Sequence, residues 1–418
     1  MSSITRWLAA VLPLLALVPT VTVAGSAGPS VRAGLGPDEP LPGMPPVLDP
    51  KDLYAGARPG MLSPVVKDFP SRVYVPNSMS NTVDVIDPRT YAVVTHFAVG
   101  KNPQHVTPSY DLKTLWVLND LGDSLTAIDP VTGKKGRTIR VMDPYNMYYT
   151  PDGRYAIVVA ERLRRLDFRD AQTMALVHSV PLACRGVDHM DFSANGRYLL
   201  ASCEFSGQMV KVDVPEQKLL GVLELPKDHV RPMPAGKEPP EAGSHRRHHR
   251  RARSMAEIRD SIMTGGPMPQ DVKVSPDGKV FYVADMASDG VHMIDGDRLQ
   301  YLGFIPTGKG AHGLYTSRDS RYLYVSNRGE GTVSLIRLDQ RKVAKVWSIP
   351  GGGSPDMGGV SADGKVLWLA GRYDREVYAF DTSDGTLLAR IKVGKEPHGL
   401  CVYPQPGRYS LGHTGVFR

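Results

Sequence analysis

A four-residue pattern of aromatic, Val, small residue and Asn or Asp returns along the chain at Tyr74-Val75-Pro76-Asn77, Trp116-Val117-Leu118-Asn119, Tyr282-Val283-Ala284-Asp285 and Tyr324-Val325-Ser326-Asn327. Looser copies begin at Ile157, Leu200 and Trp368, so successive copies lie 42, 41, 43, 82, 42 and 44 residues apart. A period of roughly 40 residues that holds several short β-rich runs restricts a chain to radially repeated sheets. The one doubled step is either a hidden repeat or an insertion.

Each unit reads alike. A β-rich run ends in Asn or Asp; a short turn and an alternating strand ending in Asp follow, as in Val83 to Asp87 and Val291 to Asp295. A third strand comes next, then a Gly/Pro loop and a fourth strand ending in Ser275-Pro276-Asp277-Gly278 or its relatives at Thr150 and Ser361. The Asp-Gly pairs supply the positive φ of a two-residue hairpin turn. Four antiparallel strands per repeat make a propeller blade. Seven three-strand sets begin near residues 71, 114, 155, 198, 280, 322 and 366, and the last fourth-type strand, Pro397 to Tyr403, has no set after it. The expected fold is all-β: a seven-bladed β-propeller of four-stranded antiparallel blades over residues 71–403, closed by pairing the C-terminal innermost strand with the N-terminal blade.

The doubled step is an insertion, residues 226–267. An eighth blade needs four β-rich runs, and this segment has one Val, two Ile, no aromatic residue and six Pro. Its second half, Ser254 to Met263, reads as a short amphipathic helix with a capping box of Ser254 and Glu257. Its first half carries Arg246, Arg247, Arg250, Arg251 and Arg253, which account for much of the net charge of +7. This tract reads either as a solvated run or as a site for anionic envelope polymers or lipid headgroups. No stacking aromatics accompany it, which argues against nucleic acid.

Residues 1–27 have Arg6 before an apolar run from Trp7 to Val23 and then small residues, the pattern of an export signal. The run is short of the ~20 residues a membrane span needs, although an uncleaved anchor is the alternative. The expected location is therefore secreted or extracytoplasmic, at the cell envelope, with no transmembrane domain after cleavage. Residues 28–70 read as a Pro/Gly-rich arm and 404–418 as a tail, both expected to leave from the face opposite the insertion.

The tetrads, with the Pro-x-x-Val and Ser-Pro-Asp-Gly elements, resemble the YVTN family of β-propeller repeat proteins, found in exported and surface-layer proteins. The resemblance covers residues 71–403 and implies the propeller fold. Related seven-bladed propellers include lactonases, propeller domains of nitrite and nitrous oxide reductases, and quinoprotein dehydrogenase subunits. This chain has no CxxCH haem attachment, and those redox roles do not carry over.

Aligned by repeat, the loops that lead into the innermost strands carry His105, Asn146, Asp188, His189, Asp271, His312, Asp356 and His398. These side chains either line a wet channel or converge on a divalent metal ion or ionic ligand at its mouth. The tetrad-end Asn and Asp residues are expected to bond the following turn. Cys184 and Cys203 fall close together in one hairpin, either as a disulfide or as two buried thiols, and Cys401 reads as a core residue. The functional expectation is an exported binding protein acting through its loop face on an envelope polymer or protein. The alternative is a metal-dependent, lactonase-like hydrolase that uses the channel His and Asp residues.

Overall fold

The computed structural model describes residues 39–230 and 265–418. The export signal, the arginine tract and the capped helix lie outside the described residues.

Seven four-stranded antiparallel sheets form the ring. Blade 2 is representative, with strands Pro103–Pro108, Leu115–Asn119, Ser124–Asp129 and Lys134–Arg140 from innermost to outermost. The order follows from burial. The innermost strand is buried along its whole length, while the outermost is exposed at six of its seven positions. Inner strands are flanked on both faces by neighbouring blades, so they are apolar or carry satisfied polar groups; outer strands need only alternate. Asp residues open the turns as expected: Asp87, Asp129 and Asp381 each accept the backbone N–H two residues on.

Closure is the expected one. Cys401–Tyr403 is the innermost strand of the first blade and pairs antiparallel with Arg72–Asn77, with Val402 opposite Val73. Ring closure leaves no blade without a neighbour on either side. Cys401 is buried, and Cys184 and Cys203 form a disulfide. Among the described residues no helix is long and apolar enough to cross a membrane.

The innermost strands run in one direction along the channel, from a mouth face where the loops enter to a turn face where those of blades 3, 5 and 7 end in Asp-Gly turns. The chain leaves blade 4 after Glu224 and enters blade 5 at Pro269, so the doubled step opens on the mouth face.

The arm is on the expected side and the tail is not. The described part of the arm lies across the turn face, opposite the insertion, where the Leu53 N–H donates to Pro276 O, the Tyr54 hydroxyl to Val274 O and the Ser320 hydroxyl to Asp52. The tail turns into the channel. Residues 410–417 form a hairpin in which Ser410 faces Phe417 and the Leu411 N–H donates to Val416 O. The hairpin adds to the channel edge of blade 3: the Tyr149 N–H donates to Leu411 O, and the His413 N–H to Met147 O. At the tip Gly412 has φ +92°, and a Cβ there would stand 2.5 Å from Met147 O. Glycine is required for that approach. At the base Arg418 donates to Asp191 Oδ1 at 2.9 Å. An innermost strand facing an empty channel has unpaired backbone groups, and the hairpin satisfies those of blade 3.

Candidate functional site

The symmetry of the ring brings all eight predicted channel residues together, because each stands at the start of an innermost strand. None is more than 2% exposed. His105, from blade 2, is at the centre: its ring lies 5.4 Å from that of His189 and 4.8 Å from that of His398.

A ninth residue joins them from the tail. His413 lies 5.3 Å from His105 and 4.9 Å from His189, ring centre to ring centre, and stacks on Tyr148. Its Nδ1 is 3.0 Å from Asn146 Nδ2; a metal on Nε2 would place the ring proton on Nδ1 and require the Asn146 amide to turn its oxygen towards it. His105, His189 and His413 offer one ligand nitrogen each, all within 4.8 Å of one another. Metal–imidazole bonds of about 2.0–2.1 Å put the ring centres of tetrahedral ligands about 5 Å apart. The triad already has that spacing.

Polar satisfaction divides the cluster. Among the described residues neither ring nitrogen of His105 has a hydrogen-bond partner, nor do His189 Nε2 and His413 Nε2, and all are closed to solvent; His189 Nδ1 faces Asp188. By contrast Asp356 is saturated: its Oδ1 faces His312 Nδ1 at 3.0 Å and Arg328 Nη1 at 3.1 Å, and its Oδ2 accepts from His398 Nδ1 at 2.7 Å. Asp271 accepts the N–H groups of Val272 and Leu314, a backbone-tying role, and stands 3.7 Å from His413 Nε2.

The electrostatics follow the same division. Burial drives His105, His312, His398 and His413 well below the usual imidazole value, and neighbouring imidazoles push His105 and His413 further down. They are neutral and able to act as ligands. Burial opposes charge on His189 too, but Asp188, whose Oδ2 is 3.0 Å from Nδ1, outweighs it and raises the ring above its ordinary value. Burial likewise opposes charge on Asp356, yet His312, Arg328 and Arg372 keep it below the usual carboxylate range.

The rim of the mouth is charge-segregated, which the motif reading passed over. The residue after each second strand occupies an equivalent place: Ser78, Asp120, Glu161, Glu204, Met286, Arg328 and Arg372. Three consecutive blades carry acids and two consecutive blades carry arginines. Burial and then Asp188 push Glu204 up to about 7. Burial, with Asp120 and Glu204 adding to it, holds Glu161 well above the carboxylate range. The tetrad ends are structural, but only Asp285 bonds the following turn as expected, accepting the N–H groups of Ala287 and Ser288; Asn77, Asn119 and Asn327 instead bond side chains on the next strand.

These features define a seven-bladed β-propeller whose channel is plugged by its own tail and lined by imidazoles. The chain belongs to the YNCE-like β-propeller family, whose pattern matches residues 62–171 and 254–407. Over 172 residues it is 27% identical to Antigen Lp49 of Leptospira interrogans serogroup Icterohaemorrhagiae serovar copenhageni (strain Fiocruz L1-130), a match covering 35% of this chain and 36% of that protein. Among solved structures, Kuenenia stuttgartiensis Hydrazine Synthase aligns with a TM-score of 0.58 at 18% identity, over 77% of this chain and 98% of that one. Dihydro-heme d1 dehydrogenase NirN in complex with DHE aligns with a TM-score of 0.55 at 15% identity, over 87% and 78%. At these identities the likeness is one of fold.

Proposed function

We propose that this protein is an exported β-propeller that holds a divalent transition-metal ion in its channel through His105, His189 and His413, and that it acts at the cell envelope by binding. The observation that carries the reading is the triad: three buried imidazoles with ring centres spaced as ligands, each offering one nitrogen without another partner. An imidazole-only set suits zinc, copper or nickel and disfavours magnesium and calcium, which prefer oxygen. The Cys184–Cys203 disulfide supports an oxidising compartment, in keeping with the leader-like N-terminus. The mouth face, where the arginine-bearing insertion departs, is the surface for an anionic envelope polymer or a protein partner.

The burial of the triad favours holding an ion over turning over a lactone, because a hydrolase must admit its substrate to the metal. The test is metal content and zinc titration of the purified protein against His105→Ala, His189→Ala and His413→Ala, with circular dichroism to confirm folding. A single ion in the wild type and at least about a hundredfold weaker uptake in each variant is expected for loss of one ligand. Undiminished uptake by folded variants defeats the proposal. Fractionation of expressing cells tests export, and a mature protein confined to the cytosol contradicts it.

A further inference from the structure

Across the ring from Glu161 and Glu204, blades 6 and 7 present two guanidiniums to one carboxylate. Arg328 is bonded to Asp356, whereas Arg372 makes only loose ionic contacts, at 4.0 Å to Asp356 and 3.9 Å to Glu396. Glu396 is 37% exposed, so solvent weakens its compensation of the second positive charge.

Two buried atoms in this half have no hydrogen-bond partner among the described residues: Arg372 Nη1 and His398 Nε2. They differ in kind. Arg372 Nη1 is a donor. His398 Nδ1 donates to Asp356 Oδ2, so in the neutral ring Nε2 carries the lone pair and is an acceptor. An unmet donor and an unmet acceptor each carry a desolvation cost, and a ligand with an anionic oxygen and a hydroxyl relieves both.

We propose that this half of the mouth is a subsite for a small hydroxycarboxylate, its carboxylate on Arg372 and its hydroxyl donating to His398 Nε2. The guanidiniums of this half favour the anion and, with no cation on the acids of blades 2 to 4, fix its orientation. The approach is from the mouth face, where the Arg328 guanidinium lies 5.6 Å from the ring centre of Tyr373, a residue 66% exposed. The subsite goes beyond the ion-holding reading and does not require an ion.

The experiment is calorimetric titration of glycolate and of acetate into the full chain, once metal-stripped and once zinc-loaded. Glycolate is expected to bind the stripped protein at least about tenfold more tightly than acetate, the worth of one added hydrogen bond in a closed site. Arg372→Gln should weaken both acids by about tenfold or more through loss of the charge-assisted contact, and His398→Gln should abolish the preference for glycolate while sparing acetate. The comparison of the two acids on the unaltered chain needs no variant to fold. Equal affinities, or binding of neither acid, overturns the subsite. A protein that takes up zinc and ignores both acids removes this inference and leaves the ion reading standing.

Discussion

Gly399 stands directly against the ring of His105: a Cβ on the glycine would lie 2.0 Å from His105 Nδ1, and the two residues are joined by a backbone bridge between blades 1 and 2. The central imidazole therefore owes its position to the absence of a side chain on the neighbouring blade. Gly399→Ala is expected to tilt or displace His105, destabilising the protein by about 1–3 kcal/mol, as overpacking does. Zinc affinity should fall at least about tenfold, since a small misplacement of one ligand is enough. Thermal melting and zinc titration measure the two effects; an unchanged affinity would mean that His105 is not a ligand.

Because an ion held by native geometry binds the folded state alone, it should raise the melting temperature. Free zinc at about a hundred times its dissociation constant is worth about 2.7 kcal/mol. His413→Ala should remove the chelator-sensitive part of the melting temperature and leave the stripped protein close to the stripped wild type. A chelator-sensitive shift that persists in the variant would place the ion elsewhere.

Asp120 supplies a pH dependence with a definite sign. Burial and the neighbouring Asp143 push it up to about 8, even though Arg162 Nε is 3.5 Å away. A carboxyl whose folded value lies above its unfolded one favours the folded state at low pH. That contribution is complete below about 4 and is lost as pH rises towards about 8. Asp120→Asn, neutral throughout, should gain on the wild type across that window and level off above it. Melting scans at about pH 5 and about pH 9 decide it, and a constant gap would show that the carboxyl is ionised at both.

The Cys184–Cys203 bridge spans a sequence separation of 19 within the hairpin that presents Asp188 and His189. A loop of that size is worth about 3 kcal/mol in the chain-entropy account. Cys184→Ser with Cys203→Ser should therefore unfold at distinctly lower denaturant, and reducing agent should affect the wild type alone. Equal midpoints would assign the hairpin's rigidity to the sheet.

The repeat was legible because its signals are local: an aromatic-Val pair, an Asn or Asp at the strand end, Asp-Gly where a hairpin needs positive φ. Once blades are aligned, radial symmetry carries His105, His189 and His398 to one axis without further information. His413 was hidden because Pro404 to Arg418 has no alternation from which to read a strand, and its place depends on unpaired backbone in blade 3, which no tail residue announces. The glycines at 407, 412 and 415 that bracket it were the available sign. The rim acids and arginines recur at the repeat spacing one residue beyond each tetrad. They escaped notice because a reading centred on the tetrad stops at its last Asn or Asp.

His413 follows all seven blades in the chain. A ribosome, or a translocation pore passing the N-terminus first, delivers every strand of the ring before it delivers this imidazole. The two ligands on the blades can meet early, but the third arrives only after Tyr403 has shut the circle. On the ion-holding proposal the ligand set is therefore complete only after the ring has closed, so that capture of the ion follows folding of the blades.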